Sequence, residues 1–395
     1  MTSVDRWQLP DGIEEVLPAQ AATVESLRRR LLDLFRAWGY ELVIPPLVEF
    51  TDSLLIGLGH DLDLLTFKLT DQLSGRSMGV RADITPQVAR IDAHSLAPEG
   101  VSRLCYAGST LHTRPKSLMA SRSPIQLGAE LYGDDSLAAD VEVIRLMLAT
   151  LDAAELQSTI TLDLGHVGIF EAVLDSAQLD AGLEATIFDC LQRKSVPDLT
   201  AALARAEIDA TTAELIVGLV DLHGDDSVLA DAREFFAERA PQALAAVEAL
   251  ADVATDIRRQ RPDIRIYFDL AELRGYHYHT GIVFAAYVPG HGQALANGGR
   301  YNDVGEVFGR ARPATGFATD LKALMGLAAA ASEPKGAISM PDSDDPELLA
   351  QAEALRAAGE IVINTLGGAV DVRCDRELTD QDGSWELKPL ERATP

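Results

Sequence analysis

Apolar residues recur at Leu27, Leu31, Leu34, Phe35 and Trp38, steps that put them on one face of an α-helix and leave Arg28, Arg29 and Arg30 largely off it. Gly39 supplies a stop for that period. The next run, Tyr40-Glu41-Leu42-Val43-Ile44, reads as extended and halts at Pro45-Pro46. Proline cannot continue a central ladder, so this segment is expected to end at a sheet edge or an interface. Residues 67–70 and 77–80 flank a turn running from Asp71 to Gly75, a hairpin pattern. Thr85 followed by Pro86 predicts a helix start, with Thr85 as N-cap and Pro86 at the first helical position. Further strands are predicted at 103–107, 125–132 and 160–164.

From about residue 167 to 259 the texture changes to Ala, Leu, Asp and Glu at helical spacing, which predicts a helical insertion. Strands return at 264–268 and 281–287, followed by a Gly-rich loop and a final long helix over 313–331. Residues 332–336 read as a linker. The last segment, 337–395, predicts a short strand–helix–strand unit, with its helix near 345–358 and a strand at 360–364. The expected organisation is therefore α+β: a core over 1–330 interrupted by the 167–259 insertion, then a short C-terminal α/β segment over 337–395. No internal repeat at a solenoid period is present in the sequence.

Composition adds little until charge is counted. The chain has 395 residues, 47% hydrophobic and 24% charged, with mean hydropathy +0.05; this is the balance of a soluble globular protein of two or three domains. Its 61 Asp and Glu outnumber 34 Lys and Arg, for a net charge of −27. Such a field repels polyphosphates, which disfavours an RNA- or DNA-binding role. No basic segment followed by an apolar run opens the sequence, and no apolar stretch approaches the roughly 20 residues that span a bilayer. Cys105, Cys190 and Cys374 are too far apart for a CxxC site and odd in number. The expected setting is reduced cytoplasm, without nucleic acid or membrane partners.

Motif searches exclude GxxxxGK[ST], HExxH, GxSxG and a strand-to-helix GxGxxG. His277 and His279 share one face of a possible strand but have no local Cys or carboxylate, so they read as polar pocket positions, and no metal is expected. No catalytic residue and no cofactor is assigned.

Four separated blocks share one chemistry. They are Gly39-Tyr40-Glu41-Leu42-Val43-Ile44-Pro45-Pro46-Leu47-Val48-Glu49; Arg81-Ala82-Asp83-Ile84-Thr85-Pro86-Gln87-Val88-Ala89-Arg90, continued by Gln126-Leu127-Gly128-Ala129-Glu130; Leu273-Arg274-Gly275-Tyr276-His277-Tyr278-His279-Thr280-Gly281; and Asn297-Gly298-Gly299-Arg300-Tyr301 with Pro313-Ala314-Thr315-Gly316-Phe317-Ala318-Thr319-Asp320-Leu321. Together they resemble the catalytic core of histidyl-tRNA synthetases, in order and spacing, over about residues 8–330. The resemblance implies the class II aminoacyl-tRNA synthetase fold, an antiparallel sheet flanked by helices, and self-dimerisation around Gly39 to Pro46. It also implies a histidine-reading pocket. Asp83 falls where that family has Glu, Thr85 matches its Thr, and Gln126 and Glu130 match strand residues that contact the amino acid. Arg274 matches the arginine of the histidine-specific loop, and Tyr278 the first of its paired tyrosines. The residue chemistry is compatible, because a zwitterionic amino acid needs acceptors for its ammonium and a cation for its carboxylate. The competing reading of the same residues is a set of buried ion pairs that serve the fold.

The resemblance breaks where phosphate must be held. Leu111-His112 stands where the synthetases carry Phe-Arg, Arg114 where they carry Glu, and Asp320-Leu321-Lys322-Ala323 where they carry Gly-Leu-Glu-Arg. ATP needs cations, and Arg is the usual one. Past the last motif only about 65 residues remain, against the roughly hundred-residue anticodon-binding domain that the resemblance implies. Residues 333–395 contain 14 acidic and 6 basic side chains, the wrong sign for an RNA surface. A synthetase-like core without activation chemistry, together with Leu111-His112-Thr113-Arg114-Pro115 and Ser121-Arg122-Ser123-Pro124, resembles the regulatory subunits of ATP phosphoribosyltransferase in histidine biosynthesis. That resemblance implies a non-catalytic role, a short-form catalytic subunit as partner in a hetero-octamer of four subunits of each kind, and histidine as feedback effector. The alternatives are a histidyl-tRNA synthetase with altered ATP contacts, and an amino-acid sensor for another partner.

Overall fold

Helix α1 (Pro18–Ala37) forms where the apolar period lies, burying Val24, Leu27, Leu31 and Phe35. Gly39 closes it at φ +83°, a left-handed conformation that glycine adopts without strain. The chain enters β1 (Glu41–Leu42), which pairs in parallel with Leu104 and Cys105 at the edge of the main sheet, just ahead of Pro45 and Pro46. In the computed structural model residues 7–55, 60–115, 120–175, 179, 181–273, 278–328 and 336–390 are described.

A small three-stranded sheet follows: β2 (Val48–Phe50), then the short helices α2 (Thr51–Leu54) and α3 (His60–Leu65), then β3 (Phe67–Thr70) and β4 (Ser77–Val80), in the order β2-β4-β3. The predicted hairpin is β3–β4, and Asp71 holds its turn by accepting from the backbone N–H groups of Leu73 and Ser74. Helix α4 (Thr85–Arg90) runs into a π-helical turn, Ile91–Leu96. The sheet proper begins with β5 (Ser102–Ser109) and β6 (Ile125–Tyr132), and α5 (Leu137–Ala153) leads to β7 (Thr161–His166).

Residues 167–260 are mostly helical: α6 (Val167–Asp175), α7 (Ala181–Gln192), α8 (Val196–Arg205), α9 (Ala210–Gly218), α10 (Ser227–Phe236) and α11 (Leu244–Gln260). Between α9 and α10 the two-residue strand β8 (His223–Gly224) returns to the main sheet and caps its far edge. Strands β9 (Arg265–Asp269), β10 (Ile282–Tyr287), β11 (Ala296–Arg300) and β12 (Ala314–Asp320) follow, then α12 (Leu321–Leu327). The long helix expected over 313–331 is thus overturned in its first half. Residues 314–320 are a strand inserted between β6 and β11, and the helix spans only Leu321–Leu327. Ala314, Gly316 and Ala318 alternate with Thr315, Phe317 and Thr319, and such small residues fit a strand with neighbours on both sides.

The nine strands run β1-β5-β6-β12-β11-β10-β7-β9-β8. Pairing is antiparallel except between β1 and β5 and between β7 and β9. One face is sealed by helices. Phe317 of β12 meets Phe35 of α1 edge-to-face at 6.0 Å between ring centroids, and Leu127, Ala129 and Leu131 of β6 join the same core as α5 residues Val143, Ile144 and Met147.

Contacts divide the chain into Met1–Ala329 and Ala330–Pro395. The second unit holds β13 (Ala337–Met340), α13 (Pro346–Ala357), β14 (Val362–Asn364), β15 (Cys374–Gln381) and β16 (Ser384–Pro389), in sheet order β14-β13-β15-β16. The expected strand–helix–strand is present as β13-α13-β14, and an antiparallel hairpin, β15–β16, extends it. Asp345 caps α13 by accepting from Glu347 N–H, and it also accepts from the Trp385 indole at 3.0 Å. No helix among the described residues is long and apolar enough to cross a membrane.

Candidate functional site

Side chains alternate faces along a strand, so register decides which residues meet. One row across the main sheet reads Leu104, Glu130, Gly316, Gly299, Val283 and Gly165; the next reads Tyr106, Gly128, Ala318, Asn297, Ala285, Asp163 and Tyr267. This is the face opposite the helix-covered core. Glycines at 128, 165, 299 and 316 remove side chains from it and leave a trough with Glu130 at one end. The glycines are required: a Cβ at 316 would overlap the Glu130 carboxylate, and one at 128 would overlap the Tyr106 hydroxyl.

Glu130 is 1% exposed. Thr85 and Tyr106 donate to its Oε1 at 3.0 and 3.1 Å, and Tyr301 donates to its Oε2. The Thr85 and Tyr106 hydroxyls lie 2.9 Å apart, and Tyr132 lies 3.2 Å from Tyr301, oxygen to oxygen. Among the described residues the partners of Glu130 are hydroxyls, not cations. Burial therefore dominates and pushes its carboxyl up to about 8, with the charge on Asp83 acting in the same direction and the three hydroxyl bonds opposing. Burial beside Glu130 also holds the phenols of Tyr106, Tyr132, Tyr278 and Tyr301 well above their ordinary range, so they stay protonated donors.

Five of the six expected site residues converge here. Gln126 Nε2 donates to Asp83 Oδ1 at 2.8 Å, and Gln126 Oε1 accepts from Ile84 N–H at 2.9 Å, tying β6 to the start of α4. The same Asp83 oxygen accepts from Thr85 N–H at 2.9 Å. Thr85 is not an N-cap as expected: it is the first residue of α4, and its hydroxyl turns to Glu130 while Asp83 takes the backbone bond. Tyr278 stacks on Tyr301 with centroids 4.9 Å apart, which closes the trough above Glu130. Arg274 lies outside the described residues, as does His277. His279 stands over Gly299, with its ring edge-to-face on Tyr278, and with Asp163, Glu272 and Asn297 it lines a cavity of about 120 Å³ further along the trough.

At the end of the trough where a synthetase needs cations, Arg81, His112, Arg122 and Lys322 are committed to the fold. Arg81 donates to the carbonyls of Ser109 and Pro45, at 2.9 and 2.8 Å. His112 is buried with Nε2 2.9 Å from the Ala82 carbonyl. Arg122 donates to the carbonyls of His112 and Asp11 and packs beneath Gly12. Lys322 pairs with Glu14 at 3.3 Å, and Asp320 accepts from Ile125 and Lys322 N–H groups. Burial raises the Asp320 carboxyl. None of this arrangement favours a triphosphate.

The Tyr106, Tyr132 and Tyr301 hydroxyls, which complete the surroundings of Glu130, were not among the expected site residues. Tyr301 directly follows Gly298-Gly299-Arg300, and Tyr106 shares its face with Gly128, so the signal lay in strand parity once β5, β6 and β11 are paired. Arg300 fixes that end of β11: it meets Asp140 at 3.0 Å, the two being 7% and 1% exposed, and donates to the carbonyls of Asp134 and Ser136.

Comparison with known proteins finds two family matches: histidyl-tRNA synthetase over residues 12–324, and the ATP phosphoribosyltransferase subunit HisZ C-terminal domain over residues 335–388. The chain is 54% identical to the ATP phosphoribosyltransferase regulatory subunit of Pseudomonas fluorescens strain Pf0-1, over 99% of this chain and 100% of that one. Among solved structures it is similar to an ATP phosphoribosyltransferase regulatory subunit/histidyl-tRNA synthetase from Bacillus halodurans C, with TM-score 0.81 and 26% identity over 93% of this chain and 94% of that chain. It also shares its fold with a chain of the ATP phosphoribosyl transferase (HisG:HisZ) complex from Thermotoga maritima, with TM-score 0.58 and 16% identity over 75% of this chain and 96% of that one.

Proposed function

The chain belongs to the family of ATP phosphoribosyltransferase regulatory subunits, and from that membership we propose that it senses histidine in the Glu130 pocket and passes the signal to its catalytic partner. It is a regulatory subunit of ATP phosphoribosyltransferase whose catalytic chain is a separate protein. The observation that carries the proposal is the pairing of a built amino-acid end with a dismantled phosphate end. Asp83, Thr85, Gln126 and Glu130 form one hydrogen-bonded set beneath Tyr278, while Arg81, His112, Arg122 and Lys322 are spent on backbone or side-chain partners.

Histidine's ammonium finds acceptors at Glu130 and Asp83, its carboxylate is assigned to Arg274, and its ring lies along the glycine-floored trough under Tyr278. Feedback follows if histidine binds the inhibited state of the complex more tightly than the active one; a coupling of about 1–3 kcal/mol gives roughly 5–150-fold. The same reading has the chain activate a short-form catalytic subunit, dimerise with itself around Gly39 to Pro46, and assemble as an octamer of four chains of each kind in the cytoplasm. The edge position of β1, with Ile44 84% exposed beside it, supports the dimer surface.

Reconstitution with a short-form catalytic subunit tests this. The expected result is that catalysis requires this chain and is inhibited by histidine, and that Glu130→Ala or Thr85→Val raises the inhibitory concentration at least tenfold. Unchanged inhibition in both variants refutes the pocket. Histidine-dependent pyrophosphate exchange by the chain alone favours a synthetase instead, and histidine binding without stimulation of the catalytic subunit favours a sensor for another partner.

A further inference from the structure

Arg103 and Glu130 leave neighbouring strands on opposite faces of the main sheet. Arg103 of β5 stands in register with Leu131 of β6, which faces the helices, whereas Glu130 stands opposite Leu104 on the trough side. On the helix side, between the end of α1, the first half of α5 and the last residue of α11, lies a cleft of about 530 Å³. It is lined by Trp38, Gly39, Arg103, Glu142, Arg145 and Gln260. Small-molecule sites span roughly 300–1,000 Å³, so there is room for more than a bare ion, and the charged lining selects a charged ligand.

The cleft holds two arginines and one carboxylate, and the carboxylate is committed to one of them. Arg103 Nε and Nη2 donate to Glu142 Oε1 and Oε2 at 2.7 and 2.8 Å, and the Tyr40 hydroxyl donates to Oε1 at 3.1 Å. These bonds, Arg103 foremost, hold the Glu142 carboxyl below its ordinary range, so it stays charged. Arg145 lies one turn further along α5, a spacing at which opposite charges commonly pair, yet Glu142 turns to Arg103 instead. Among the described residues Arg145 forms no ion pair: its Nη2 donates to the Asp256 carbonyl at 3.0 Å, and its Nε is buried without a hydrogen-bond partner. The Asp256 carboxylate is taken by Arg259. A guanidinium with spare donors and no counter-charge is satisfied by an oxyanion, which its planar fork binds through two bonds. Charge decides which oxyanion. Two arginines against one glutamate leave a single positive charge; a carboxylate balances it, whereas a phosphate dianion overshoots in a chain whose net charge is already −27. Trp38, half-buried against the core, supplies an apolar wall beside the cation.

We propose that this cleft binds a small monocarboxylate with a flat apolar body, its carboxylate on Arg145 and its body along Trp38. It is a second ligand site, on the face of the sheet opposite the Glu130 trough. The assignment is independent of the histidine reading, and neither falls with the other.

Benzoate is the probe, titrated at fixed ionic strength into the full-length chain alone and assembled with its catalytic partner, with binding heat and tryptophan fluorescence as readouts. The expected result is saturable binding in both states, with a fluorescence change that Trp38→Phe abolishes. Affinity should exceed that for acetate and for inorganic phosphate at least tenfold and fall at least tenfold in Arg145→Met. Because Arg145→Met also removes the bond to Asp256, Arg145→Lys provides a milder variant: it keeps the charge, lacks the fork, and should bind benzoate severalfold more weakly while folding normally. Absence of saturable binding, equal binding by both Arg145 variants and the unmodified chain, or phosphate bound more tightly than benzoate overturns the proposal. Benzoate bound no better than acetate overturns the Trp38 contact. Binding by the free chain that is lost on assembly also overturns it, since the cleft is then a contact between subunits.

Discussion

Glu130 and Gly316 stand opposite each other on β6 and β12, and the space a Cβ would take at position 316 is filled by the Glu130 carboxylate. The carboxyl therefore lies across a neighbouring strand, which brings it within reach of Tyr301, the residue after β11, as well as Thr85 and Tyr106. A single missing side chain thus sets the direction of the Glu130 carboxyl.

Gly316→Ala forces Glu130 off that path. Overpacking of this kind costs about 1–3 kcal/mol. The expected outcome is a protein that folds with a lowered Tm and has lost histidine inhibition by at least tenfold. Thermal unfolding and an inhibition titration of the reconstituted complex check the two parts separately.

Stability should carry the mark of Glu130. Its carboxyl titrates near 8 when folded, against the ordinary value of 4.5, so between these pH values the folded chain holds a proton that the unfolded chain has lost. The stabilisation this proton gives is fully present below about 4.5 and is lost as pH rises through about 8, by an amount on the order of a few kcal/mol. Glu130→Gln removes the linkage, so its stability relative to the unmodified chain should increase steadily from pH 5 to 8. Denaturant unfolding of both proteins across that range measures the difference.

The Arg300–Asp140 pair should behave as a buried ion pair. Both residues are nearly inaccessible, and burial raises the Asp140 carboxyl while Arg300 pulls it down. Removing one partner strands the other's charge, at a cost of roughly 3–5 kcal/mol, whereas replacing both by apolar residues recovers much of it. Asp140→Leu alone and together with Arg300→Met, compared by urea unfolding, should show that non-additivity.

Ile44→Asp places a charge on the exposed apolar segment beside β1. If the chain dimerises there, light scattering of the purified variant should report a monomer where the unmodified protein is a dimer. Its unfolding curve should move little, because the side chain is solvent-exposed within one chain.

Local pattern was enough for elements whose chemistry is periodic or punctuated. Leu27, Leu31 and Phe35 gave α1, Gly39 its end, and the 125–132 run gave β6 to the residue. The stretch 314–320 was misread because Ala, Gly and Thr at its alternate positions carry almost no apolar signature, and the neighbours that make it a strand, β6 and β11, come from distant sequence. The motif blocks likewise singled out Asp83, Thr85, Gln126 and Glu130, which lie in one hydrogen-bonded cluster, while saying nothing of Tyr106 and Tyr132.

The sequence by itself determined the family, singled out four residues that gather around Glu130 in the fold, Glu130 among them, and showed the replacement of the synthetases' arginines, since each is a matter of which residue stands at which position. Tertiary structure alone decided that Glu130 is ringed by hydroxyls rather than paired with a described cation, and that Arg81, His112, Arg122 and Lys322 are occupied. Both depend on cross-strand register and burial. Register brings together residues as distant as 130 and 301. Burial fixes how costly an unbalanced charge is once it is there.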